Sequence, residues 1–236
     1  MKEIWQRLLI LCRGDAARIA PWLEERDARW LWICAVTILL GYGLYGGVVG
    51  LWRAPSQAAF TAIKMPLVIF LTCAANAVLN GLLAQVLGSG LGFRQSSMVI
   101  LMSFTISALL LAALSPIELF ILENAPPLSS GERGTGHSVT LLTDVVFIAY
   151  AGVVANRRLL QLLIHLCPTM AIATRIFWSW VAGNLFLGAQ ISWILRPFIG
   201  TPGLPVQFLR DDPMRGNFYE AVFHALRHLL TSAHIL

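Results

Sequence analysis

The chain has 236 residues, of which 57% are apolar and only 12% charged. Soluble domains carry roughly 25% charged residues, so this chain has too little polar surface to cover itself in water, and a soluble globular fold is excluded. The net charge of +5 comes with acids scattered along the chain and no basic cluster interleaved with aromatics, which excludes a nucleic-acid surface and leaves membrane anchoring. The class predicted is an all-α polytopic membrane bundle whose first partner is the lipid bilayer.

In residues 1–28, Ile4, Trp5, Leu8, Leu11 and Cys12 fall near helical spacing. This pattern predicts an amphipathic leader helix lying on the cytoplasmic face; a disordered polar leader is the competing reading. The apolar part of "MKEIWQRLLILCRG" is short and interrupted, with no small-x-small cleavage site after it, so a signal peptide is not expected.

Residues 29–195 carry five apolar runs. About 20 such residues cross a hydrocarbon core of roughly 30 Å. The first run, 30–52, has Trp30, Trp32 and Trp52 at its ends, where amphipathic rings favour the headgroup level. Gly43 and Gly47, and Gly46 and Gly50, are four apart, leaving one helical face almost bare of side chains. Such a face permits close helix contact, within the chain or with a second copy.

The second run, 65–88, opens on Pro66, which suits a first helical turn. Asn76 and Asn80 share one face at i, i+4. "GSGLGFRQ", 88–95, is a tight loop; with no preceding strand and no lysine after the glycines it is not a phosphate loop.

The third run, 97–122, has Pro116 and Glu118 near its end, followed by a loop rich in Pro, Gly and Ser. The fourth, 138–156, contains Asp144 and is expected to stop at Arg157 and Arg158. "LLQLLIHLCP", 159–168, is too short to cross and reads as an interfacial segment. The fifth, 175–195, carries Asn184 and Gln190. Cys12, Cys34, Cys73 and Cys167 are far apart, without a C-x-x-C pair, and read as unpaired structural thiols.

With a cytoplasmic N-terminus, the segments inside hold Lys2, Arg7, Arg13, Arg18, Arg26, Arg29, Arg94, Arg157, Arg158 and Arg175. Those outside hold Arg53, Lys64, Arg133, Arg196, Arg210, Arg215 and Arg227. The bias predicts a multi-pass inner-membrane protein with its N-terminus in the cytoplasm.

Residues 196–236 begin where the fifth run leaves the membrane. Arg196 can snorkel to phosphates, and Pro197 ends the helix. Non-helical backbone cannot face hydrocarbon, so "PFIGTPGLPVQF", with Pro197, Pro202 and Pro205, must lie at the interface or against the bundle. Asp212 and Pro213 read as N-cap and first position of a C-terminal amphipathic helix. Together with Arg210 these residues predict a structured interfacial cap.

"IKMPLVIFLT…LGSGLGFRQSSMVILMSFTISALLLAALSPIELFIL", within residues 63–122, resembles the bacterial branch of the Yip1-like multispan proteins. The resemblance implies about five spans, a short loop carrying a Phe-Arg-Gln turn and a proline near the end of the next span. It also implies a non-enzymatic adaptor role, by analogy with eukaryotic relatives. "WILRPFIGTPGLPVQFLR" is similar to segments of uncharacterised bacterial multispan membrane proteins.

An acid at depth costs about 3 kcal/mol on insertion scales, which marks Asp144 and Glu118. With Asn76, Asn80, Asn184 and Gln190 they form a candidate polar seam, a packing network or an ion path. Asp144 is also close enough in sequence to bond Thr140 or Thr143. His224 and His228 have a metal-capable spacing but lack the zincin glutamate, so no metal and no cofactor is expected. No nucleophile–base constellation is found. The sequence points to a non-enzymatic scaffold or subunit of a membrane complex, with a homo-oligomer or other membrane proteins as partners. The alternative is a small oligomeric channel or transporter with Asp144 and Glu118 lining a polar path.

Overall fold

The computed structural model describes residues 2–25, 28–126, 133–200 and 203–220. Every regular element among them is helical. Helix α1 (Lys2–Arg13), a short α2 (Ala16–Ile19) and a 3-10 turn (Ala20–Leu23) form the leader. Then come α3 (Ala28–Leu51), α4 (Pro55–Val86), α5 (Phe93–Asn124), α6 (Arg133–Leu166) and α7 (Met170–Leu195). These five are long and apolar enough to cross a membrane, so the chain is a multi-pass helical membrane bundle.

The contacts close a ring in the order α3, α4, α7, α6, α5, with α4 and α5 also touching. Leu39, Leu40, Leu44, Leu142, Val145, Val146, Leu185 and Phe186 stay exposed on the spans. Apolar side chains left outward suit hydrocarbon as the surrounding solvent. Inside, one core gathers leader residues with α5, α6 and α7, and a second gathers Ile38, Tyr42, Tyr45 and Val49 of α3 with Ala108 and Leu111 of α5.

The glycine face of α3 is used within the chain. A Cβ on Gly46 would come 2.6 Å from the Thr61 carbonyl oxygen, and one on Gly50 would come 2.6 Å from Ala58 Cα. Gly43 and Gly47 sit more loosely over Ala62, at 3.4 and 3.7 Å. The backbones of α3 and α4 therefore touch where side chains are missing.

The leader is folded onto the bundle. Leu8, Leu11, Ile19 and Leu23 are buried, while Ile4, Trp5 and Leu9 remain exposed. Arg7 donates to Glu25 Oε2 at 3.0 Å, and its guanidinium lies over the rings of Trp22 and Trp30. Arg94 reaches across from the start of α5 and donates to the carbonyls of Leu23 and Glu25 at 2.6 and 2.7 Å. Beside it, Gln95 Oε1 accepts from the Gly92 N–H, and the Phe93 ring covers Gly81. The Phe-Arg-Gln turn thus ties the leader to the α4–α5 connection.

Three expectations are corrected. Helix α4 starts at Pro55, not near Met65. Pro55 supplies the fixed φ of a first turn, and Pro66 lies inside the helix. Helix α6 does not stop at Arg157 and Arg158 but runs to Leu166. A helix leaving the membrane has no reason to end at its first arginines, because water satisfies what lipid does not. Asp212 and Pro213 do not start a helix; Arg215 N–H bonds the Asp212 carbonyl in a turn, and helical residues resume at 218. The rest of the expected C-terminal helix, with His224, His228 and Arg227, lies outside the described residues, as do Pro202 and Arg26.

Candidate functional site

The expected single polar seam is two clusters. Around the end of the bundle carrying the α3–α4 turn, Tyr45 of α3, Glu118 of α5 and Asp144 of α6 come together. Tyr45 is fully buried, and its hydroxyl donates to Asp144 Oδ1 at 2.9 Å. Glu118 is fully buried, with neither carboxyl oxygen hydrogen-bonded among the described residues. It lies within electrostatic reach of Asp144. Thr140 and Thr143 do not hold Asp144: their hydroxyls donate to the carbonyls of Gly136 and Val139 on their own helix. That is the ordinary i−4 bond of a hydroxyl facing its own turn. The acid finds its partner across the helix interface instead.

The second cluster joins α4 to α7. Asn76 Nδ2 donates to Asn184 Oδ1 at 2.9 Å. Asn80 is buried nearby; its carbonyl accepts from the indole N–H of Trp180 at 3.0 Å, while its side-chain amide is unpartnered among the described residues. Gly183 and Gly188 face Asn76 and Thr72, so glycine lets the polar stripe of α4 approach. Gln190 does not belong here. It accepts from the Phe218 N–H at 3.3 Å and so fastens the ending.

The ending after α7 is held by residues that sequence reading passed over. Gln57, Thr61 and Lys64 lie on one face of α4 at i, i+4, i+7 and are fully buried. Gln57 Nε2 donates to the Phe198 carbonyl at 2.5 Å and to Pro197 at 3.2 Å. Thr61 Oγ1 donates to Phe198 at 2.6 Å. Lys64 Nζ donates to Pro197 at 2.8 Å and lies over the rings of Phe198 and Phe208. These donors satisfy carbonyls that the end of α7 would otherwise leave bare in a low-dielectric region. Lys64, expected in an outer loop, is therefore inside the bundle. The i, i+4, i+7 spacing was the available signal; taking Pro66 as the helix start concealed it.

Further out, Arg53 Nη2 donates to the Leu204 carbonyl at 2.6 Å. Arg196 stacks 3.6 Å from the centre of the Trp193 ring and donates to the carbonyls of Trp193 and Arg215. Tyr219 stacks on Phe186 and donates to its carbonyl at 2.8 Å. A cavity of about 380 Å³ opens between Arg196, Pro197, Pro205, Arg210, Asp212 and Arg215. Of the interfacial cap residues, Arg196, Pro197, Pro205, Arg210 and Asp212 thus share one site, whereas the polar-seam residues divide between two interfaces and the ending. Compared with known proteins, the chain matches no family model, no curated protein and no solved structure.

Proposed function

We propose that the chain is a non-enzymatic integral membrane protein that serves as a scaffold or subunit of a membrane complex. One observation carries the reading: both ends of the bundle are finished as shaped surfaces fixed to it. Arg7 and Arg94 hold the leader at one end. Gln57, Thr61 and Lys64 hold the ending at the other. Ordering a segment costs roughly 1–2 kcal/mol per residue in backbone entropy. A persistent shape outside the membrane suits recognition by a partner with little further ordering on binding. The likeness of residues 63–122 to Yip1-like adaptors supports the same role by analogy.

The proposed setting is the inner membrane, with the leader in the cytoplasm. Arg7, Arg13, Arg18, Arg29, Arg94, Arg157, Arg158 and Arg175 all belong to the leader end. With Lys64 buried against the Pro197 carbonyl, the opposite end loses one of its counted cations, and the bias grows.

A second reading, a small oligomeric channel or transporter, is favoured by Glu118, whose buried carboxyl lacks a hydrogen bond among the described residues. Purified protein in liposomes separates the two. The scaffold reading expects proton and cation flux no greater than in protein-free vesicles, and a defined complex or oligomer in native mass spectrometry. Flux that drops on Glu118→Gln or Asp144→Asn would replace it with transport.

A further inference from the structure

The cavity beside the ending is lined by charges of both signs, Arg196, Arg210 and Arg215 on one hand and Asp211 and Asp212 on the other. Among the described residues, none of these five makes an ion pair within 4.0 Å; the pairs are at Arg7 and Arg18. Arg196 is half-buried, and its Nε has no hydrogen-bond partner among the described residues. Burial, and then the charge of Arg210, push the Arg196 guanidinium down from its usual value. Two guanidinium groups on one cavity wall, with no carboxylate within 4.0 Å of either among the described residues, form a place where an anion would balance the charge.

The place is at the headgroup level. Arg196 directly follows the last residue of α7 and lies over the Trp193 ring, and interfacial tryptophans mark that depth. Leu204, on the cavity wall, is 54% exposed. Water alone would leave this apolar side chain uncovered; acyl chains would cover it. The volume falls within the range of roughly 300–1,000 Å³ of small-molecule sites.

We propose that this cavity binds the headgroup of a phospholipid carrying a primary amine. The phosphodiester lies against Arg210, whose planar fork matches its two free oxygens, and beside Arg196, which is held in place by the Trp193 and Arg215 carbonyls and contributes its charge. The ammonium lies against Asp211 and Asp212 and donates hydrogen bonds to them. A purely anionic headgroup would leave both carboxylates facing an anion. A quaternary ammonium would offer them no donor. A soluble phosphate compound would leave Leu204 bare. The site is independent of the scaffold reading, because it concerns the cavity and not what the bundle assembles with.

The test is a binding titration of the full chain in detergent, below the lipids' own micelle concentration. Short-chain phosphatidylethanolamine is compared with the choline and glycerol analogues, and with glycerophosphoethanolamine, which lacks chains. The ethanolamine lipid should bind about tenfold or more tighter than the other three, the effect of one charge-assisted contact or more. Arg210→Gln should weaken it by about tenfold, and Arg210→Lys by less. The Asp211→Asn/Asp212→Asn double variant should turn the preference toward the glycerol lipid. Thermal unfolding without lipid checks that each variant is folded, and the aspartate pair gives a readout that does not depend on the arginine variants. Equal affinity for all headgroups, or no effect of Arg210→Gln in folded protein, would overturn the proposal. Binding of glycerophosphoethanolamine as tight as that of the lipid would overturn the assignment to the membrane.

Discussion

Tyr45 and Asp144 show what a single polar contact does in this bundle. Asp144 looks solvated or self-capped in the sequence, since Ser138 and two threonines are near. The structure instead spends a buried tyrosine hydroxyl on it, ninety-nine residues away. A buried acceptor that loses its donor costs about 1–3 kcal/mol, whereas removing both partners together costs less. Tyr45→Phe should therefore lower unfolding free energy in detergent by about 1–3 kcal/mol. In an Asp144→Asn background the same change should cost measurably less, since an amide can turn to another acceptor or donor. Equal costs in both backgrounds would show that the bond contributes nothing specific. The partner of Asp144 was illegible in sequence because helix periodicity gives faces, not which faces meet. The same limit hid Lys64, whose charge is offset by a carbonyl and two rings brought from beyond residue 196.

Among the elements, α3 and α4 share the most extensive contact, and it turns on which glycines carry it. Four glycines looked equivalent in sequence, at two overlapping four-residue spacings. The geometry separates them. Gly46 and Gly50 meet α4 backbone, which cannot move aside; Gly47 meets only the Ala62 methyl at an ordinary contact distance. Overpacking by one methyl costs about 1–3 kcal/mol where the neighbours cannot relax. Gly46→Ala and Gly50→Ala should each lower thermal stability in detergent, and Gly47→Ala should leave it near that of the parent. A Gly47→Ala loss equal to that of Gly50→Ala would mean the face meets something other than α4. Element number and placement were readable, because hydrocarbon thickness sets the length of an apolar run. Element ends were not. Helices α4 and α6 run about 48 and 51 Å at 1.5 Å per residue, well beyond the roughly 30 Å core. Their extra turns continue outside the core, where hydropathy carries no signal.

For the whole molecule, the odd number of spans decides what each end can meet. Five crossings place the folded leader and the folded ending on opposite sides, so a partner gripping both must itself span the membrane. The leader is pinned by Arg94 at the start of α5, and the ending is pinned by Gln57, Thr61 and Lys64 of α4. The two surfaces therefore rest on different helices, which pack against each other. Single cysteines at Lys2 and Met214, both exposed, give a direct test of this arrangement. Cys34 and Cys167 are buried, and burial pushes the Cys12 and Cys167 thiols up from their usual value, so the native cysteines should react slowly. In right-side-out vesicles a membrane-impermeant maleimide should label Met214→Cys and spare Lys2→Cys. In inverted vesicles the pattern should exchange. Labelling of both from one side would remove the odd number of crossings, and with it the separation of the two folded ends. Labelling in the reverse sense would keep the five spans but turn the leader outward, against the basic residues that crowd its end of the bundle.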